Sequence, residues 1–146
     1  MGAKHKFMVF SLLIGVALAC GGDSAGPAPS EIAGTWQATK VEYVSVAQPS
    51  VSVDLIADED WSATLVLAAN GSYTFTRTPP GGQPLVDTGT WELDGDVLNV
   101  APAGTQFRLQ FDIALSGNTL RLSGADVEYA FNGSAEDAKL NLVLTR

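Results

Sequence analysis

Apolar and polar residues alternate with a period of two along most of the chain after Glu31. The clearest run, 106–115, has an apolar residue at every second position: Phe107, Leu109, Phe111, Ile113 and Leu115. Shorter runs with the same period lie at 72–76, 90–93, 119–123 and 139–145. This period is typical of half-buried β-strands. The pattern therefore predicts an all-β domain, in which residues 54–61 are the one candidate for a short helix.

The connections between these runs are of two kinds. Tight turns are predicted at Asn70-Gly71, Asp94-Gly95 and Ser116-Gly117-Asn118, because such residues tolerate the backbone angles of hairpin turns. Longer connections are predicted at 47–60, 79–84, 101–105 and 124–138. Long and tight connections alternate, as they do when successive antiparallel strands run up and down. The pattern predicts eight strands in an up-and-down antiparallel barrel, since an even number closes without a free edge.

Two further runs, 51–55 and 127–131, also have the composition of strands. If both are counted, the barrel has ten strands and the alternation of long and tight connections is lost. We therefore favour eight strands and interpret the two runs as extensions or cover at the end with the long loops.

The N-terminus has the parts of a secretory signal peptide. Lys4-His5-Lys6 is a basic head, and residues 7–19 are apolar except for Ser11. A transmembrane helix needs about 20 apolar residues, so this run is too short to be one. Small residues precede a predicted cleavage site after Ala19. We expect residues 1–19 to be removed.

Cys20 follows that site directly. The sequence Ala17-Leu18-Ala19-Cys20 resembles the lipobox of bacterial lipoproteins, with Ala17 where that family most often has Leu. The resemblance implies lipidation of Cys20, and several acyl chains together hold a protein stably on a membrane. The alternative is an ordinary signal peptide followed by an unmodified cysteine.

A tether is predicted at 20–30, which reads CGGDSAGPAPS and has few side chains that could pack in a core. The folded domain is then expected at 31–146. In cells with two membranes, lipoproteins of this kind stay at the inner membrane when Asp follows the cysteine. Gly21 stands there instead, so we expect a cell-envelope protein at the outer membrane.

The charge of the chain excludes some partners. Without residues 1–19 it has 6 basic and 16 acidic residues, because Lys4 and Lys6 are the only charged residues removed. Nucleic acids need clustered Lys and Arg, and anionic lipid surfaces attract basic segments. We therefore expect no nucleic-acid partner and no electrostatic docking on lipid; a protein partner is not identified.

Catalytic side chains are scarce in the sequence. The single histidine is His5 and the single cysteine is Cys20. This excludes Ser-His and Cys-His nucleophiles and His or Cys metal sites from the domain. We predict no catalytic, metal or cofactor-binding residue, and no enzyme. Asp58-Glu59-Asp60 is the densest acidic cluster; a solvated loop is favoured there over a Ca²⁺ site.

The motif Gly34-Thr35-Trp36, followed by runs 65–67 and 70–75 and by Gly89-Thr90-Trp91, resembles the lipocalin-like domains of small bacterial lipoproteins. The resemblance implies a barrel floor at Gly34 and Trp36, with an arginine stacked on the Trp. Arg146 is the candidate by position and Arg121 the alternative. The order of the turns places Trp36 at the end with the tight turns, from which the tether also leaves.

The inward face of the predicted barrel is the remaining candidate site. Its aromatic residues are expected to meet inside and to line a ligand pocket: Tyr73, Phe75, Trp91, Phe107 and Phe111. The sequence leaves open whether they form a pocket or a packed core, because an eight-stranded interior holds either side chains or one small ligand. We expect a lipid-anchored protein that binds a small apolar or amphiphilic molecule. The alternative is a structural or partner-binding envelope lipoprotein with a packed barrel.

Overall fold

The structure is a computed structural model and describes residues 26–146. The predicted signal peptide, cleavage site and Cys20 lie outside the described residues. Within them the chain forms one short helix and nine strands: α1 (Pro29–Ile32), β1 (Gly34–Ser45), β2 (Ser52–Asp54), β3 (Ser62–Leu67), β4 (Ser72–Thr78), β5 (Leu85–Asp94), β6 (Val97–Pro102), β7 (Leu109–Ser116), β8 (Thr119–Ala130) and β9 (Ala135–Thr145).

Eight of these strands close into a barrel. Each strand from β3 to β8 pairs antiparallel with the next, while β1 pairs with both β3 and β9. The predicted fold class, an all-β up-and-down antiparallel barrel with eight strands, is therefore confirmed, and the ten-stranded alternative is wrong. The run 51–55 contains β2, which pairs with β1 beyond the end of β3 and extends the wall there.

The two ends of the barrel differ in their connections. Short turns at 68–71, 95–96 and 117–118 join strands at one end, the closed end. Connections at 46–61, 79–84, 103–108 and 131–134 join strands at the other, the open end. The start of β1 lies at the closed end, because Gly34 pairs with Leu67 at the end of β3.

The predicted loop at 124–138 is wrong. β8 and β9 remain paired from Ala125↔Leu140 to Ala130↔Ala135, so only residues 131–134 connect them. Gly124 has φ +83° and lies where the register shifts within the ladder. Its N–H donates to the Asn141 side chain at 3.0 Å. Because a glycine can mark a β-bulge as well as a turn, the sequence signal was ambiguous here.

The candidate short helix at 54–61 is absent from the described chain, where residues 55–59 form turns. The Asp54 carboxylate accepts hydrogen bonds from the backbone N–H groups of Val41 at 3.1 Å and Ile56 at 3.0 Å. Side chains of this kind compete with helical hydrogen bonding by offering the backbone another acceptor. Asp54 therefore holds the connection against β1 instead of starting a helix.

The strand predicted at 106–115 begins only at Leu109. Pairing between β6 and β7 ends at Val100↔Leu109, and Pro102 follows in β6. Proline has no N–H to donate to a neighbouring strand. The Pro102 carbonyl accepts from the Thr105 hydroxyl at 3.1 Å. Residues 106–108 consequently leave the sheet.

Helix α1 begins inside the segment predicted as a tether, so the ordered domain starts before Glu31. Pro29 at the first helical position has the backbone angle that a helix start needs, and the Glu31 carboxylate accepts from the Ala28 N–H at 2.6 Å. Ile32 is completely buried in the core at the closed end. No helix among residues 26–146 combines the length and hydropathy needed to span a membrane.

Candidate functional site

A cavity of about 260 Å³ lies inside the barrel, and all eight barrel strands contribute to its wall. Most of the wall is apolar, from Leu67 and Leu98 near the closed end to Pro102 and Leu109 near the open end. Alternation along each strand explains this, because every second side chain points inward. The period of two in the sequence therefore determines which residues face the cavity.

The structure places three of the five predicted lining residues on the cavity wall: Tyr73, Phe75 and Phe111. Trp91 is elsewhere in the core, with 8% of its surface exposed, and its indole N–H donates to the Ala68 carbonyl at 3.0 Å. Phe107 is 76% exposed, so its predicted inward position is wrong. Phe107 lies before the first residue of β7. No neighbouring strand holds the backbone there, so alternation does not determine the direction of its side chain.

The volume distinguishes a pocket from a packed core. An apolar cavity of about 150 Å³ holds a benzene molecule, and typical ligand pockets begin at about 300 Å³. At about 260 Å³ the cavity lies between these values. The barrel interior is therefore not filled by its own side chains, in contrast to the fully packed alternative.

Arg77 brings charge into this mostly apolar wall. Its Nη1 donates to the Tyr43 hydroxyl at 3.1 Å and its Nη2 to the Asp87 carboxylate at 2.8 Å. Its Nε is buried without a hydrogen-bond partner. Sequence reasoning missed this group, although Arg77 continues the inward register of Tyr73 and Phe75 by two residues and this was the available signal.

Tyr43 connects the polar group to aromatic residues near the open end. Its ring stacks on Tyr129 with centroids 4.2 Å apart, and Tyr129 meets Phe131 edge to face at 4.9 Å. Burial raises the pKa of the Tyr43 hydroxyl above its ordinary value, and the nearby Arg77 only partly offsets this. Tyr43 therefore stays protonated at neutral pH and retains both donor and acceptor capacity.

At the closed end the structure brings Trp36 and Arg146 together. The Arg146 guanidinium carbon lies 4.4 Å from the Trp36 ring centroid. The Trp36 indole N–H donates to the Ile32 carbonyl at 2.8 Å, and Arg146 Nη2 donates to the Glu31 carbonyl at 2.9 Å. Gly34 lies beside this stack, with φ +141° and its missing Cβ position 3.7 Å from Arg146 Nη1. Arg121, the alternative stacking residue, is exposed in β8.

The acidic cluster at 58–60 forms part of a turn. Asp58 accepts from the Asp54 N–H at 2.8 Å, and Asp60 has φ +57°. Within residues 26–146 no group of three or more metal-ligating side chains is close enough together to hold an ion. The Asp58 carboxylate thus has a structural hydrogen bond in place of the ligand role considered from sequence.

Comparison with known proteins gives a family match. A family model described as "Lipocalin-like domain" matches residues 32–122, which begin at the end of α1 and reach into β8. No curated protein matches the chain. The matched range covers more than half of the sequence and includes Trp36, the Arg77 group and most of the cavity wall.

Proposed function

The chain belongs to the family of lipocalin-like domains, and on this premise we propose that its barrel binds a small apolar or amphiphilic molecule without catalysis. Barrels of this family in general suit hydrophobic ligands and are generally not enzymes. The observation that supports the proposal for this chain is the cavity of about 260 Å³ with its mainly apolar wall. Burial of apolar surface there supplies the binding free energy.

The size of the cavity limits the ligand. Scaling from a cavity of about 150 Å³ for benzene gives a ligand of about ten non-hydrogen atoms. Small ligands gain at most about 0.3–1.5 kcal/mol per non-hydrogen atom, after the costs of ordering. At about 0.5–0.8 kcal/mol per atom, within this range, about ten atoms give a dissociation constant of about 1–100 µM.

Native mass spectrometry of the protein from its own cells tests the proposal directly. We expect a bound small molecule in the native protein and in Ala114→Trp, since Ala114 is exposed on the outside of β7. Val127→Trp places a large ring on the cavity wall and should abolish the bound mass. A native protein that is always empty, and that also takes up no apolar probe in vitro, would contradict the proposal.

We propose further that Cys20 is lipidated and holds the domain at the cell envelope, at the outer membrane where there are two. The basic head, apolar run and small residues before Cys20 support this. The described chain enters at the closed end, where Gly26 packs against the backbone of Gly95 in the β5–β6 turn. In this arrangement the closed end faces the membrane and the open end faces away from it.

The anchor has its own test. Cys20→Ser should release the protein from the membrane fraction, whereas the neighbouring substitution Ser24→Ala should leave it there. Metabolic labelling with a fatty-acid analogue should mark the Ser24→Ala protein and not the Cys20→Ser protein. Unchanged membrane association of Cys20→Ser would refute the lipoprotein proposal and leave the binding proposal intact.

A further inference from the structure

Arg77 is the feature of the cavity that a purely apolar ligand does not explain. Among the described residues that line the cavity, Arg77 alone carries a positive charge. Its side chain is 23% exposed, and it extends past the Phe75 ring, with the guanidinium carbon 5.5 Å from the ring centroid. A charged group in this position is costly to bury unless its hydrogen bonds are made.

The hydrogen bonds of Arg77 are incomplete. Nη1 and Nη2 have partners in Tyr43 and Asp87, while Nε is buried and has none. A buried donor without an acceptor costs free energy that a suitable acceptor recovers. Because less than 1 Å² of Nε is accessible, an acceptor on a ligand reaches it only with a small shift of the side chain. An alkane offers no such acceptor.

The charges around the cavity decide which acceptor fits. The Asp87 carboxylate, which lines the cavity, already pairs with Arg77 at 2.8 Å. The one positive group of the described wall is thus matched by a negative group. A ligand carboxylate or phosphate would be repelled by the Asp87 carboxylate and would find the guanidinium already neutralised. An uncharged oxygen acceptor avoids this repulsion and still satisfies Nε.

We propose that the cavity selects uncharged molecules with an apolar body and one oxygen acceptor, such as a ketone or an ester, which binds at the Arg77 guanidinium. This inference rests on the proposed ligand-binding function and assigns the chemical class of its ligand. Arg77 acts as a specificity-determining residue, and Asp87 is the group that excludes anions.

Three probes of nearly equal shape test this assignment. Butylbenzene has no acceptor, 4-phenylbutan-2-one has a ketone, and 3-phenylpropanoate has a carboxylate on the same phenylethyl body. Their dissociation constants are measured by displacement of a fluorescent apolar probe at neutral pH. Arg77→Met, which keeps an unbranched apolar stem but removes the guanidinium, should weaken binding of the ketone by about tenfold or more, since the lost donor belongs to a charged group. Butylbenzene affinity should change by less than about twofold, as it makes no hydrogen bond.

Asp87→Asn provides a second variant, at a side chain that is 51% exposed. Asp87→Asn should strengthen the binding of 3-phenylpropanoate by about tenfold, because the guanidinium charge is then free to pair with the ligand. The matched control is Glu92→Gln, which changes the net charge equally at an exposed position of β5. It should leave all three affinities unchanged. The Asp87→Asn variant keeps the test decisive if Arg77→Met fails to fold.

The outcomes separate this inference from the function on which it rests. If none of the three probes binds the native protein, the ligand-binding function fails. If butylbenzene binds but Arg77→Met lowers its affinity as much as that of the ketone, Arg77 does not determine specificity. Tightest binding of 3-phenylpropanoate by the native protein, or no response of its affinity to Asp87→Asn, would overturn the exclusion of anions.

Discussion

Arg146 stacks on Trp36, with the guanidinium carbon 4.4 Å from the centroid of the indole ring. This contact joins the last residue of the chain to the first strand of the barrel. Arg146 also donates to the Glu31 carbonyl at 2.9 Å, so the same side chain holds helix α1 under the closed end. One exposed arginine thus connects three segments that are far apart in sequence.

Replacement of Arg146 should destabilise the barrel. Arg146→Ala removes the cation–π contact and the hydrogen bond to Glu31, for a loss of about 1–2 kcal/mol in the free energy of unfolding. Arg146→Lys should lose less, because it keeps the charge without the planar guanidinium. Urea denaturation measures both. Arg121→Ala, at an exposed arginine of β8, is the control and should change stability by less than about 0.5 kcal/mol. Equal stability of the two alanine variants would show that the stack contributes nothing.

Gly89 should tolerate no side chain, for a reason visible only in the folded protein. A Cβ at this position would lie 2.1 Å from the Ala101 carbonyl oxygen and 2.8 Å from Cε1 of Tyr73. Relief of this overlap requires the backbone to move, so Gly89→Ala should cost about 2–3 kcal/mol in thermal or urea unfolding. Thr88→Ala, at the exposed residue before it, should cost much less. Gly89→Ala with native stability would mean that β5 and β6 separate easily here.

The free energy of unfolding should fall at alkaline pH, partly through Tyr43. Burial raises the pKa of the Tyr43 hydroxyl above its ordinary value of 10.0, and Arg77 only partly offsets this. The unfolded chain therefore loses the tyrosine proton at lower pH than the folded protein. The stabilisation is complete below pH 10.0 and is lost as the pH rises through the folded-state pKa.

Urea unfolding at intervals from about pH 8 to pH 11.5 measures this effect. Tyr43→Phe should show a smaller decline above pH 10.0 than the native protein. A decline remains in that variant, because burial also raises the pKa values of Tyr73 and Tyr129. Identical slopes for the native protein and Tyr43→Phe would assign the alkaline loss to other groups.

Asp54 should stabilise the long connection between β1 and β3. Its carboxylate accepts from the N–H groups of Val41 and Ile56, and its own N–H donates to Asp58. Asp54→Ala leaves two backbone donors without this acceptor, for an expected loss of about 1–3 kcal/mol. Glu59→Ala, in the same exposed turn, should be nearly neutral. Hydrogen exchange provides the local readout, since protection of the β2 amides should fall only in Asp54→Ala.

Strand periodicity predicted much of the site. Tyr73, Phe75 and Phe111 alternate with polar neighbours inside paired strands, and all three line the cavity. The same rule failed at Phe107, because alternation determines a side chain's direction only where a neighbouring strand holds the backbone. The sequence pattern predicts a long connection from Gly124 to Ala138, but the two strands remain paired through a bulge at Gly124. A single glycine does not specify whether the backbone leaves the sheet or stays paired with a neighbouring strand.

Local patterns in the sequence determined the all-β class, the number of barrel strands and the end at which the tight turns gather. These properties depend on the alternation within one strand and on the chemistry of one turn, which are both short-range. Tertiary structure alone decided that the interior keeps a cavity of about 260 Å³. It also decided that Arg77, Tyr43 and Asp87 meet in its wall. Their contacts depend on the closure of all eight strands, since packing volume and hydrogen-bond partners are set by residues distant in sequence.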